Sequence, residues 1–428
     1  MSNGRALVYD SSRLATRVLH ATPNGIDRVD LLLARHFSSS QAFDVRALGL
    51  GFTKPRLLPR AVLQRVTDRV ASAWLEDDEG LGEDETLEAI VARLTGRARD
   101  GDGRIVAPRP KRLLNVARMA AQHMPAIGLS PAAAAPRGAL YLNATHFPLE
   151  WPRHVAWLDA RPDVRPVFFI HDMLAIDRPE WFWGREPKLH QKRIALLARR
   201  GAAAIVSTAC VEADLQTHMR RLGRLDLPVF RLAPPVQPIF STRSPRDLRL
   251  AGAPYFLVCG TIEPRKNLTL LLNVWAELAS SLGAATPKLV VVGKRGWKYA
   301  QIIATLDDKR LAGHVIEVAG LATPAYKTLL DHCRALLAPS FAEGFGLPVA
   351  EARAAGVAVI ASDIAAFREQ GGANVVYLDP CSIAAWRRAI LERIDPPVRT
   401  PRVPPRFDGG EARDQGLERL DTFLTSLA

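Results

Sequence analysis

The run GTIEPRKN at 260–267 sets Arg265 and Lys266 side by side, directly after an apolar stretch and before the helical run LTLLLNVWAELA. Gly260 lets the chain turn sharply out of the preceding strand. The two cations then project from a loop at a helix N-terminus, where open amides and the dipole already favour an anion. A diphosphate fits this arrangement; taken alone, the pair also reads as a solvated basic turn. A second run, SFAEGFGLPVAEARAAG at 340–356, spaces Glu343 and Glu351 eight residues apart. The first lies in a glycine-flanked loop and the second about one turn into a helix that Pro348 is suited to open. This spacing lets a loop carboxylate and a helix carboxylate face one pocket, while Gly344 and Gly346 leave backbone N–H groups open to ligand oxygens. Glu351 answering the helix dipole, with Glu343 in solvent, is the plainer alternative.

Other chemistries fit less well. GFGLPV imitates the start of a dinucleotide fingerprint, but Val349 stands where the third glycine belongs, and no ribose-binding acid follows in the next strand. Asp100-Gly101-Asp102 resembles a metal-binding D-x-D, yet no apolar strand precedes it, so it reads as a surface turn. Cys210, Cys259, Cys333 and Cys381 lack C-x-x-C spacing and read as buried thiols, neither a zinc site nor a disulfide framework. No metal ligand set and no cofactor motif emerges. The N-x-T triplets at Asn143 and Asn267 would matter only in a secreted protein.

The elements that must position these residues follow a strand–helix alternation. With 428 residues and 48% hydrophobic content, two packed domains are expected. In the first half ALVYD (6–10), PVFFI (166–170) and AAIVS (203–207) read as strands, and GIDRVDLLLARHF (25–37) as an amphipathic helix. Between about 54 and 138 the pattern loosens into Arg-rich helical segments, an acidic stretch from Glu76 to Glu88 and a tail ending PAAAAPRG. This reads as a helical insertion on the acceptor side or as solvated surface. Four prolines in APPVQPIFSTRSPRDL (233–248) break regular structure and mark a boundary. Beyond it YFLVC (255–259), LVVVG (289–293), HVIEV (314–318), ALLAP (335–339), VAVIA (357–361) and NVVYL (374–378) repeat the alternation. The expected division is 1–238, 239–395 and a connection plus helix at 396–428 that packs back on the first domain. Ligands of doubly wound sheets bind outside the carboxyl ends of the strands, which is where both motifs fall.

The opening MSNGRALVYD has no basic n-region, apolar core or cleavage site, and no uninterrupted apolar run approaches the roughly 18 residues needed to span a bilayer. A cytoplasmic location is expected. The net charge of +13 suits polyanions, anionic lipid headgroups or phosphorylated ligands, although only 10 of the 57 basic residues are Lys and Arg-heavy coding bias accounts for it equally well.

Together GTIEPRKN, VVGKRGW, AGLATPAYKTLLDHCRALLAPS and FAEGFGLPVAEARAAGVAVIASDIAAFREQGG resemble retaining glycosyltransferase family 4, in particular its mannosyltransferase-like branch, over residues 255–380. The resemblance implies a GT-B fold: α/β, two Rossmann-like doubly wound domains facing a central cleft. It implies that Arg265 and Lys266 hold the donor diphosphate, that Glu343 lies by the donor sugar, and that Glu351 hydrogen-bonds the nucleotide ribose. Gly344, Phe345 and Gly346 match the loop whose backbone meets sugar hydroxyls and phosphate. Gly293 and Lys294 fall beside the nucleotide, and Leu321 on the segment lining the base. In the first half NGIDRV (24–29) is similar to the loop and helix start that close over the diphosphate, which selects Gly25. FFIHDML resembles the family's IHD segment, which selects His171 to reach the donor sugar.

The expected reaction is transfer of a hexose or deoxyhexose, mannose first, from a nucleotide diphosphate donor, a GDP-sugar before a UDP-sugar. The expected acceptor is a glycan or lipid-linked glycan of polysaccharide or lipopolysaccharide synthesis at the inner membrane surface. The cations take the part that a metal plays elsewhere. Retention of configuration is implied by the family alone. A nucleotide-sugar epimerase of the same architecture and a noncatalytic polyanion-binding protein are the rivals, and nucleic acid is not the expected partner.

Overall fold

The computed structural model describes residues 4–17, 23–51, 53–75, 85–98, 104–106, 128–242, 244, 247–250, 252–297, 300–372, 374–395 and 413–427. The acidic residues 76–84, the Asp100–Asp102 triplet and the connection at 396–412 lie outside the described residues.

Continuous apolar runs without polar alternation suit strands covered on both faces, and this chain builds two such sheets. Numbered along the chain, β1 (Arg5–Asp10), β2 (Phe43–Gly49), β3 (Arg56–Pro59), β5 (Leu140–Asn143), β6 (Arg165–Ile170), β7 (Ala203–Val206) and β8 (Val229–Arg231) form the first. Their order is β3-β2-β1-β5-β6-β7-β8, parallel throughout except for the antiparallel edge strand β3. The second sheet contains β4 (Arg104–Val106), β9 (Tyr255–Cys259), β10 (Lys288–Val292), β11 (Val315–Ala319), β12 (Leu336–Ala338), β13 (Val359–Ser362) and β14 (Val375–Leu378). It runs β14-β13-β12-β9-β10-β11-β4 and is wholly parallel. Each sheet has an apolar core on either face.

Local sequence explains how the flanking helices begin. Helix Gly25–Ser39 opens with a capping box in which Asn24 accepts from the Asp27 amide and Asp27 answers the Asn24 amide. Its Val29, Leu33 and Phe37 are buried under β1 and β2. Helix Leu268–Leu282 buries Leu271, Val274, Trp275 and Leu278 against the second sheet, and the Trp275 indole donates to the Pro287 carbonyl at 2.8 Å. By length and composition the stretch Leu268–Ala285 could cross a membrane, with mean hydropathy 1.3. The sequence expectation passed over it; in the fold it is a core helix.

Two chain segments depart from a simple N-half, C-half division. The 54–138 segment was expected to insert in the first domain, and its helix Arg60–Leu75 does pack on the first core. However, helix Glu85–Leu94 buries Ile90, Val91 and Leu94 in the second core, and β4 pairs with β11 through Glu317↔Arg104 and Val318↔Ile105. Helix Glu85–Leu94 and β4 are therefore structurally part of the second domain. In the other direction, helix Arg413–Ser426 places Leu417, Leu420 and Leu424 in the first core. The linker docks on helix Thr323–His332, where buried Lys327 donates to the Thr242 carbonyl at 2.8 Å and Asp331 accepts from the Ser244 amide at 2.8 Å. Of the cysteines expected to be buried, Cys333 is; Cys210 and Cys259 are half-buried and Cys381 is exposed.

Candidate active site

The carboxyl ends of β6 and β7 face those of β9, β10 and β12 across the cleft, and the two motifs emerge there. After β9 the chain leaves through Gly260 and forms a single 3-10 turn, Pro264–Lys266, ending at Asn267 in the left-handed region at φ 52°. The Asn267 side chain donates to the carbonyls of Pro339 (3.1 Å) and Pro380 (2.8 Å), which ties this turn to the loop after β12. Phe341 N–H donates to the Arg265 carbonyl at 2.9 Å, making a second tie.

The two loops bring opposite charges together. Glu343 accepts from Lys266 Nζ at 2.5 Å on Oε1 and from Arg265 Nη1 at 2.6 Å on Oε2, and Ser340 adds a hydroxyl to Oε1 at 2.7 Å. Burial favours the neutral acid, but Arg265 and Lys266 outweigh it and hold the Glu343 carboxyl down at about 2. Arg265 also donates to Glu263 (2.7 Å) and to the Ala342 carbonyl (3.0 Å). Burial raises the Glu263 carboxyl, against the pull of Arg265. A pocket open to solvent lies beside this network, lined by Gly260, Thr261, Lys266, Ser340, Glu343, Gly346, Pro348 and Val349 among others.

Gly260, Lys266, Glu343 and Gly346 therefore meet at one cavity. Arg265 is not in its lining; its guanidinium is spent on Glu263, Glu343 and Ala342, so it positions the carboxylate from behind. Gly293 packs on the Gly260 carbonyl. Lys294 is exposed, and its backbone carbonyl accepts from Ile262 at 2.9 Å. Phe345 is buried, with its carbonyl accepting from Gln370. Leu321, expected at the nucleotide base, is buried in the second core and does not reach the cavity. Helix Leu347–Ala354 starts at Leu347, so Pro348 occupies its second position, and Glu351 is buried in an ion pair with Arg28 of the first domain.

The first domain closes the other side. Gly25 begins its helix opposite Leu347, where a Cβ would sit 3.3 Å from the leucine Cδ1. The His171 carbonyl abuts Gly344, although the imidazole is not in the cavity lining. That imidazole donates from Nε2 to the Ala144 carbonyl at 2.8 Å and stacks on Phe169. Burial pulls it down to about 4, so at neutral pH it is uncharged and Nδ1 is left as an acceptor. Ser207 and Thr208, assigned no role from the sequence, both donate to the Gly344 carbonyl at 3.0 Å. Glu263, Ser340 and Arg28 were also missed. Glu263 lies in the quoted motif, but only the fold turns it toward Arg265.

Two facing Rossmann-like domains with a site between their strand ends define the GT-B fold. Residues 241–400 match the family described as glycosyl transferases group 1, and this part of the chain is a group 1 glycosyltransferase domain. O-antigen chain mannosyltransferase B of Escherichia coli is 31% identical over 146 residues, 34% of this chain and 38% of that protein. The serotype-specific mannosyltransferase WbdA of Escherichia coli is 28% identical over 216 residues, 47% of this chain and 26% of that one. The chain thus spans well under half the length of these relatives. Among solved structures, sucrose-phosphate synthase from Thermosynechococcus elongatus superposes over 99% of this chain and 98% of its own, with TM-score 0.57 and 14% identity. Anabaena Alr3699/HepE in complex with UDP and glucose does so over 98% and 96%, with TM-score 0.55 and 14% identity. At such identities the likeness is one of fold.

Proposed function

We propose that this chain is a retaining glycosyltransferase that needs no metal and moves a hexose or deoxyhexose, mannose first, from a GDP-linked donor to a glycan or lipid-linked acceptor. It would work at the cytoplasmic face of the membrane in polysaccharide or lipopolysaccharide assembly. The observation that carries this reading is the meeting of Lys266 and Glu343 at one cavity inside a group 1 domain. The mannosyltransferases among the relatives favour mannose and hence GDP-mannose; a UDP-sugar is the rival donor.

Lys266 lines the cavity and supplies fixed positive charge where the nucleoside diphosphate gathers negative charge as the glycosidic bond breaks. Glu343, held near 2, is ionised at neutral pH and unsuited to give up a proton. Its charge suits an oxocarbenium-like sugar instead. The acceptor hydroxyl forms the new bond from the leaving-group face and passes its proton to the departing phosphate oxygen.

A thermal-shift panel of GDP- and UDP-sugars tests donor choice, because a ligand at about 100 times Kd adds about 2.7 kcal/mol to the folded state. GDP-mannose should raise the melting temperature most, and a flat panel would sink the donor site. Turnover should survive EDTA. Lys266→Ala should lose on the order of 10²-fold in kcat, by analogy with removing one oxyanion donor; full turnover in that variant would remove the role.

A further inference from the structure

Beyond the donor cavity, one surface joins both domains through aromatic rings. The segment RPEWFWGRE (178–186) runs from the first domain across to the second. The Trp181 ring lies nearly parallel to Phe341, with centroids 6.1 Å apart and 18° between planes. The Phe182 ring pairs with Trp297 at 6.4 Å and 29°, and the Trp297 indole donates to the Trp181 carbonyl at 2.8 Å. The next residue in the chain, Trp183, is left 67% exposed, and Phe341 of the clasp 37% exposed. Single exposed apolar side chains are ordinary. This tryptophan differs in following Trp181 and Phe182 directly in the chain, two members of a four-ring clasp that closes the gap between the domains.

We propose that this clasp is an acceptor subsite, on which pyranose rings of a glycan stack. The inference deepens the transferase reading and rests on it. Pyranoses carry hydroxyls around the rim and C–H groups on their faces, so they pack flat on indole and phenyl rings. Trp and Phe offer that area at low entropic cost. Exposed Arg178, whose guanidinium lies 5.8 Å over Trp181, and exposed Arg185 flank the rings and offer N–H donors to sugar hydroxyls.

Continuity with the donor cavity selects a glycan over a lipid surface. Phe341 sits between Ser340 and Glu343 on one loop, and its amide is bonded to the Arg265 carbonyl. A chain held on the clasp thus lies at the mouth of the site. A membrane-inserting patch gains nothing from being fastened to both walls of a cleft. Because Trp181 and Phe182 come from one domain and Phe341 and Trp297 from the other, a bound glycan also favours the closed arrangement.

The test uses the full chain with mannotetraose as probe, titrated calorimetrically in saturating GDP. Trp183→Ala should weaken mannotetraose about tenfold, while its affinity for GDP and its melting temperature stay at wild-type values. Trp183→Phe should recover most of the binding. Equal mannotetraose affinity in Trp183→Ala would overturn the proposal, as would no saturable binding to the wild type. It is also overturned if the variant loses only binding to vesicles of anionic phospholipid. Binding of mannotetraose that needs Trp183, in a protein that neither binds nor turns over any nucleotide sugar, would sink the transferase reading and the acceptor role with it.

Discussion

Glu343 carries one cation on each carboxylate oxygen, and its ionisation links the site to the stability of the fold. Its carboxyl is lowered from 4.5 to about 2. The folded value lies below the unfolded one, so the stabilisation is complete above pH 4.5 and is lost as pH falls from there toward 2. At about 1.4 kcal/mol per unit this amounts to on the order of 3 kcal/mol at most. Glu343→Gln should remove it and leave two partly buried cations with only Glu263 and the more distant Asp172 to answer them. Urea unfolding of wild type and variant should differ at pH 7, and the difference should shrink to nothing near pH 2. A difference that is flat across that range would detach Glu343 from the cations. At this scale sequence reading did well where side chains are neighbours along the chain, as with Arg265 and Lys266. It did less well with partners brought by the fold: Arg28, which reaches Glu351 from the other domain, carries no local signal.

The loop from Ser340 to Gly346 is the element on which the site depends, and Gly344 sets how close the domains come. At Gly344 a Cβ would lie 2.1 Å from the His171 carbonyl oxygen, and at Gly346, with φ 89°, one would lie 2.3 Å from the Phe367 ring. Neither position accepts a side chain without movement. At Gly344 the obstacle is backbone, so the movement must be of one domain against the other. Gly344→Ala should therefore strain the bonds from Ser207 and Thr208 and cost about 1–3 kcal/mol. Catalytic efficiency should fall although Lys266 and Glu343 are untouched, and small-angle scattering should show a more open particle. Wild-type dimensions and turnover together would show that the contact is not needed. Strands β2, β3, β4, β5 and β8 were not read from the sequence, whereas the other nine strands were legible to within one or two residues, because buried parallel strands read as unbroken apolar runs. The use of Ser207 and Thr208 was not, since their partner lies 136 and more residues along the chain.

At the scale of the whole molecule each domain is completed by chain from the far side of the boundary. The apolar period of ETLEAIVARL marks a helix, but which sheet that helix covers is not written locally, and proximity in sequence pointed to the first. Proline density marks one crossing, at 233–248, whereas the chain makes four, since it passes into the second domain before Glu85, back before Leu140, across the linker and back again before Leu417. The consequence concerns the matched stretch 241–400 taken by itself. Without residues 85–106 it lacks Ile90, Val91, Leu94 and Ile105, all buried in its core. At roughly 1.5–3 kcal/mol for each fully buried aliphatic side chain, the loss is about 6–12 kcal/mol. That is comparable with the 5–15 kcal/mol that holds a typical domain together. The loss of β4 also turns β11 into an open edge with unpaired backbone groups, which invites association. A 241–400 fragment should accordingly melt without a cooperative transition and bind a hydrophobic dye. The same fragment with 85–106 joined to it through a flexible linker should recover a sharp transition and its response to nucleotide. If the bare fragment melted as sharply and as high as the joined one, the crossing segment would be decoration on a domain complete without it.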